Sequence, residues 1–244
     1  MAPIAITGMT TTESTTGVAQ RSSAALLQLM WLASPTLPIG GFSYSEGLEA
    51  AVDHGVVHDE PSATHWLVDQ LHLGLGRGEL VVVAQAIAAW RSLDWTRLQA
   101  LNDWVHQTRE SDELRQQTVQ MGSSLMSWRK SLREPIVAWD AGTMGAVTYP
   151  VAFGSALAAT EASIAEGLLA YAFGWAENMS QAAIKSVPLG QSAGQRIVMR
   201  LQQAIPEVVE AALQRSDEDR QAFTPMLALL SAQHEMQYSR LFRS

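Results

Sequence analysis

The sequence predicts an all-α protein. Apolar side chains recur at the three- and four-residue spacing of helices through most of the chain. Prolines and glycines gather between those stretches, around 34–41, 135–145, 188–194 and 224–225. No alternation of strands and helices around a dinucleotide-binding loop accompanies them.

Residues 23–33 read as a short helix with Leu26, Leu29, Met30 and Ala33 on one stripe. Pro35 and Pro38 end it, because proline removes a backbone donor and restricts the residue before it. Gly40 and Gly41 then supply a turn, and 42–52 reads as helical again. Asp59 followed by Pro61 has the chemistry of a cap and a first-turn proline. From there to about Trp90 the pattern predicts one or two helices, interrupted near 74–76. Residues 94–100 and 102–132 continue the signal, with Leu98, Leu101, Val105, Leu114, Leu125 and Trp128 on the apolar side. The next break is expected at Pro135 and 142–145.

Residues 149–173 are rich in Ala, Gly and Ser, which let helices approach closely, so this stretch is expected at the buried centre of a bundle. A membrane hairpin competes with that reading, but Glu161 and Glu166 are costly in hydrocarbon. The longest apolar run, 80–84, is far short of a membrane span. Ser192 and Gln195 have capping-box spacing ahead of a helix running from 196 to 213 with a disturbance at Pro206. Thr224 and Pro225 open a last helix reaching to about Tyr238. The expected organisation is one helical domain over 23–244. Residues 1–22, rich in Thr, Ser, Gly and Ala and without the apolar block of a secretory signal, are expected to be disordered or vector-derived.

Composition narrows the function classes. With 47% hydrophobic and 16% charged residues, most of the chain can bury a core. Eight tryptophans supply a large packing payload for that core or for protein-binding surfaces. A net charge of -8 weighs against nucleic acid, whose phosphates demand a concentrated basic face. The absence of cysteine removes disulfides, thiolate metal sites and cysteine nucleophiles together, and is compatible with a cytoplasmic location.

No glycine-rich loop carries the lysine of a phosphate-binding motif. His234-Glu235 matches the start of a zinc-protease helix, but Tyr238 stands where the second histidine belongs. His54 and His58, four apart, are weak candidates for a labile nickel or zinc contact, although Gly55 makes a shared helix face doubtful. His65 and His72, seven apart, are a similar pair. Arg109, Glu110, Glu113 and Arg115 form a charge cluster, with Glu110 and Glu113 on one helical side. Those carboxylates suit a partner's arginine or lysine, or simply a solvated face. Glu177, Asn178 and Lys185 lie among apolar residues, where charges must pair or emerge at an interface. The tail places Tyr238, Leu241 and Phe242 between Arg240 and Arg243, the composition of a binding hot spot. Its competing reading is a last turn docked on its own core.

Three blocks together resemble the UreF family of urease accessory proteins. They are Leu32 to Glu49 with its Pro35, Pro38, Gly40, Phe42, Tyr44 and Gly47; Trp175 to Gln195 with Lys185, Pro188, Gly190 and Gln191; and His234 to Ser244. The Arg109-Glu110 and Glu113-Leu114-Arg115 pieces look like a fourth. The resemblance implies a non-enzymatic, all-helical, dimeric cytoplasmic factor without a cofactor. It implies binding to a UreD/UreH-type partner and recruitment of the GTPase UreG, so that nickel is delivered to apo-urease. It implies a partner-binding role for Tyr238, Arg240, Leu241, Phe242, Arg243 and Lys185. Structural or interface roles follow for Pro38, Gly40, Phe42, Tyr44, Gly47, Glu49, Pro188, Gly190, Gln191 and Gln195. Met179-Ser180 looks more polar and flexible than the family pattern, and Glu46 replaces an amide or imidazole. The alternatives are a helical adaptor unrelated to metal delivery and a metal-dependent hydrolase built on His234-Glu235.

Overall fold

A computed structural model describes residues 23–132 and 138–243. The expectations for 1–22, Pro135 and Ser244 lie outside the described residues. Within them every regular element is a helix: α1 (Ser23–Leu32), α2 (Leu48–Asp53), α3 (Glu60–Gln70), α4 (Leu80–Ser92), α5 (Trp95–Thr108), α6 (Asp112–Ser131), α7 (Ala141–Met144), α8 (Tyr149–Ala158), α9 (Ile164–Ser186), α10 (Gln191–Leu213) and α11 (Pro225–His234). The all-α bundle stands.

The helix starts follow from local chemistry. Asp59 accepts from Ser62 N–H while Ser62 Oγ bonds back to Asp59 N–H, a capping box with Pro61 in the first turn. Ser163 and Glu166 repeat that arrangement at α9. Asp94 caps α5 and Ser111 caps α6, each accepting an orphan N–H of its first turn. At α10 the expected box is absent: Gly190 is the cap, Gln191 is already helical, and the helix continues through Pro206.

Four expectations on helix extent are corrected. Residues 42–52 are not one helix, because Glu46 and Gly47 both have positive φ; a short 3-10 turn (Gly41–Ser43) precedes them and α2 begins only at Leu48. Residues 102–132 break at Arg109–Ser111, which connect α5 to α6. Residues 149–173 divide after Ala158, and the second half belongs to α9. The last helix stops at His234, short of Tyr238.

The glycines near 74–76 also act differently from expected. They do not interrupt the chain; α3 and α4 are joined by a π-helical segment (Leu71–Glu79). A Cβ on Gly76 would lie 2.4 Å from Val208 Cγ1, and one on Gly78 would lie 2.8 Å from the Gln221 carbonyl oxygen. Glycine here buys close approach of α10 and the chain before α11. The continuous helix Glu60–Ser92 is therefore 33 residues long and apolar enough to cross a membrane, longer than the 80–84 run suggests. However, 61% of its most apolar window is buried against other helices, as in a bundle core.

The core sits where α4, α8 and α9 meet, with α6 across α8 and α10 along α9 and α3. Helix α8 is buried at every position from Pro150 to Leu157, as the small-residue composition requires, but the rest of the 149–173 stretch is not all central: Ala159, Glu161, Ser163, Leu169 and Phe173 are exposed. Gly154 lies against Ala86 of α4, and Trp90 Nε1 donates to the Val151 carbonyl at 2.9 Å. Met179 and Ser180, expected to be flexible, are buried in α9. Helix α11 closes over α2 and α6 and thereby positions the C-terminal tail.

Gly122 supplies a test of this packing. A Cβ there would lie 2.3 Å from the Val147 carbonyl oxygen and 2.7 Å from Thr148 C, backbone atoms that cannot rotate away. Gly122→Ala is expected to destabilise the protein by about 1–3 kcal/mol despite alanine's better helix propensity. Gly190→Ala, where no atom lies within 4 Å of the new Cβ, is expected to be nearly neutral. Urea denaturation midpoints check both.

Candidate functional site

The site grows from α11 and the chain that follows it. Ser231 and His234 lie on the face of α11 turned toward α6, and both are fully buried. Ser231 Oγ and Ser111 Oγ are 2.6 Å apart, so the hydroxyl that caps α6 is also tied to α11. Glu235 Oε1 accepts from Asp112 N–H at 2.9 Å and from Glu113 N–H at 3.3 Å. A carboxylate thus meets the exposed N–H groups and positive dipole end of α6.

Two buried carboxylates lie beneath. Glu113 of α6 has Oε2 at 2.7 Å from His234 Nδ1, and its Oε1 accepts from Arg240 Nη1 at 2.6 Å. Glu49 of α2 has Oε2 at 3.1 Å from His234 Nε2. Glu49 also accepts two backbone bonds from the tail, from Leu241 N–H at 2.7 Å and Phe242 N–H at 2.9 Å. Farther along, Arg243 N–H donates to the Ser43 carbonyl at 2.8 Å, closing the tail onto the 3-10 turn. The Phe242 ring is buried, with Lys185 Nζ 5.7 Å from its centre.

The tail is divided in its geometry. Its backbone, Arg240 and Phe242 are docked on the protein's own core, whereas Tyr238 is fully exposed and Leu241 is 70% exposed. Met236 points outward as well. Lys185 is exposed at the end of α9 and meets the tail through Phe242.

Other predicted residues are placed as follows. Glu110 and Glu113 do not share a helix face: Glu110 is exposed in the α5–α6 connection and Glu113 is buried in the first turn of α6. Gly40 and Gly47 have φ of 78° and 76°, which glycine adopts without strain, and the Gly47 position also faces Leu227 of α11. Tyr44 is buried, its hydroxyl donating to Gln120 Oε1 at 2.5 Å, while Phe42 and Pro38 are exposed. Pro188 and Gly190 form the exposed α9–α10 turn, with Gln191 and Gln195 exposed on the first turns of α10.

His54 ends α2 and His58 lies beyond Gly55, whose φ is 70°, so the two do not share a helix. Among the described residues no group of three ligating side chains could hold a metal. His234, Glu49 and Glu113 meet at hydrogen-bond distances, and the two ring nitrogens aim at different carboxylates instead of one point.

A second polar cluster adjoins the first. Glu79, at the end of the π-helical segment, accepts from Arg109 Nη2 at 2.5 Å and from the Tyr171 hydroxyl. Glu46 accepts from Gln117 Nε2 at 2.7 Å and Trp175 Nε1 at 2.9 Å. These groups line a cavity of about 80 Å³ with Tyr149 and Asn178. Burial, and then the charge of Glu79, push the Tyr149 and Tyr171 hydroxyls up and raise the Glu46 carboxyl as well.

A family model described as UreF matches residues 57–202. The urease accessory protein UreF of Methylibium petroleiphilum is 63% identical over 229 residues, covering 93% of this chain and 97% of that protein. The UreF of Polaromonas sp. is 59% identical over 228 residues, with the same coverage. That of Cupriavidus taiwanensis is 46% identical over 229 residues, covering 90% of this chain and 97% of that protein. The chain belongs to the UreF family. Its role is accessory to urease, that of an assembly chaperone and not an enzyme.

Sequence reasoning missed the part His234 plays in this UreF-family chain. The His-Glu pair matches the start of a metalloprotease helix and belongs to the terminal UreF-like block, but neither reading assigns it a partner; both residues bind α6. The signal was present in the terminal block, where a histidine and a glutamate close the last helix, but their partners lie 121 and 123 positions away. Glu79 and Tyr171 were missed for the same reason.

The raised Glu46 carboxyl carries a pH prediction. Its folded state favours the protonated form, so the cost of ionising it is fully present above its folded pKa and relieved as pH falls through that value. The stability of Glu46→Gln relative to the wild type is therefore expected to be higher at pH 7 than at pH 4.5. Denaturation midpoints at the two pH values measure it.

Proposed function

We propose that this protein works as the adaptor of a nickel-insertion complex. It binds a UreD/UreH-type accessory protein, and the pair recruits and regulates the GTPase UreG so that nickel reaches apo-urease. The observation that carries this reading is the divided tail. Order in a chain terminus costs conformational entropy. Here that cost is met by Glu49, Glu113 and His234, while Tyr238 and Leu241 are left facing solvent. A tail held rigid with its apolar side chains outward is pre-organised for a partner, which lowers the entropy lost on binding. Lys185 and Arg243 edge the same surface.

Regulation of a GTPase by such a platform needs no reacting group. It needs different affinity for two states of the GTPase, since only a difference shifts the equilibrium. Self-association in the cytoplasm is part of the same proposal. Supporting it, α1 exposes Leu26, Leu27, Met30 and Trp31, and a groove of about 1290 Å³ runs between α1 and α9 past Leu169 and Phe173.

The double variant Tyr238→Ala/Leu241→Ala is expected to weaken capture of the UreD/UreH-type partner by tenfold or more, about 1.4 kcal/mol or above. The helical circular dichroism spectrum should not change, because neither side chain is buried. Wild-type capture by the folded variant would remove the tail from the interface. Light scattering at tens of micromolar is expected to give a dimer mass for the wild type, and a monomer for Leu27→Glu/Met30→Glu.

A further inference from the structure

Helix α1 has a composition that belongs in a core. Apart from Ser23 and Gln28 every residue in it is apolar, yet only Ala25 and Leu32 are buried. A helix that is apolar all round is normally covered on every side. Here α9 covers one side only. The chain just after α1 rests on it at Gly174, where a Cβ would lie 3.4 Å from the Ala33 carbonyl oxygen.

Beside that contact lies the groove of about 1290 Å³. Leu26, Leu29 and Met30 line it from α1, and Leu169, Ala170 and Phe173 line it from α9. Small-molecule pockets run to about 300–1,000 Å³, so this groove suits a row of side chains better than a metabolite. Its rim is acidic. Glu161, Glu166 and Glu177 border it, and the bordering cation, Arg91, is turned aside to the Ala162 carbonyl at 2.7 Å. Glu166 is engaged in capping α9 through Ser163. Glu161 and Glu177 have no ion-pair partner among the described residues.

We propose that the groove between α1 and α9 receives an amphipathic helix of a second partner protein, with an apolar stripe along it and basic residues toward both ends. The rim sets the spacing. Glu166 and Glu177 are eleven positions apart on α9, about 16 Å along the helix axis. The basic residues of the incoming helix therefore fall about eleven positions apart, with apolar anchors at three- and four-residue steps between them. An anionic lipid surface matches the apolar floor but is repelled by the rim.

Helix α9 thereby carries two surfaces of opposite sign. Its last turn presents Lys185 to the tail, and its earlier turns present the carboxylates of the groove. Complementary charge selects a partner and like charge rejects the wrong one, so tail and groove take different proteins. This deepens the adaptor reading and rests on it for the presence of two partners. Leu27 and Trp31 lie outside the groove, Trp31 edge-on to Trp128 at 4.8 Å, which leaves that side of α1 for self-association.

The test uses the full-length protein and three synthetic 18-residue peptides. One is a leucine–alanine helix with lysines eleven positions apart at the edges of its apolar stripe. The second has glutamates for the lysines, and the third is a scramble of the first. Fluorescence anisotropy should show the lysine peptide binding one-to-one and at least tenfold tighter than the other two. Phe173→Asp should weaken it tenfold or more. Glu161→Lys/Glu177→Lys should reverse the preference toward the glutamate peptide; Glu166 is kept because it caps α9. If Phe173→Asp does not fold, the charge-reversed variant decides. Equal binding by the lysine peptide and its scramble, or by wild type and both variants, would reduce the effect to non-specific attraction by an acidic protein and overturn the proposal. Shielding of the Met30 and Leu169 methyls from a soluble paramagnetic probe, growing with protein concentration, would put a second copy in the groove and overturn it as well. The tail enters none of these measurements. Capture of the UreD/UreH-type partner that still depends on Tyr238 and Leu241 would keep the adaptor reading when the groove fails.

Discussion

Two carboxylates buried at one place constrain the whole C-terminal third of this molecule. Removing Glu49 and Glu113 from water is unfavourable unless donors replace the lost hydration. Helix α11 supplies His234, and the tail supplies Arg240 and two backbone N–H groups. The path of residues 240–243 fits that need. Once Leu241 and Phe242 N–H point at Glu49, the Phe242 ring is carried inward beneath Lys185 and the Leu241 side chain outward. Apolar burial of one ring and charge pairing of two carboxylates thus act on the same short segment.

The bundle beneath is built to place those elements rigidly. Small residues let α4, α8 and α9 approach closely, and glycines at 76, 78, 122 and 154 sit where a methyl group would strike a neighbour. The π-helical turn bears on the polar interior too, because it leads to Glu79, the carboxylate that binds Arg109 and Tyr171. Arg109 leaves α5 immediately before Ser111 caps α6, so one connection links the Glu79 cluster to the Glu113 cluster.

This chemistry suits an assembly factor. The polar groups near the tail are engaged with one another. The side chains offered to solvent are apolar or cationic: Tyr238, Leu241, Met236 and Lys185 at the tail, and Leu26, Leu27 and Met30 on α1. Such surfaces recognise proteins. In this UreF-family chain the buried acid–base groups hold the backbone of the C-terminal tail against α2 and α6.

The all-α class, the capping of α3, the start of α11 and the burial of the first half of 149–173 were legible in the sequence, because each depends on residues within a few positions of one another. The family was legible in the order of its motif blocks. Helix extents were less so: Glu46 and Gly47 break a stretch whose apolar pattern runs on, and Gly74 to Gly78 preserve a helix that composition would interrupt. The tail's hot-spot composition was visible, but not which side chains face inward. Glu113 read as a surface charge because its apposition to His234 joins positions 121 residues apart. Local sequence determines where helices begin and which face is apolar. Only tertiary packing decides which distant charges meet out of water, and that meeting gives this tail its form.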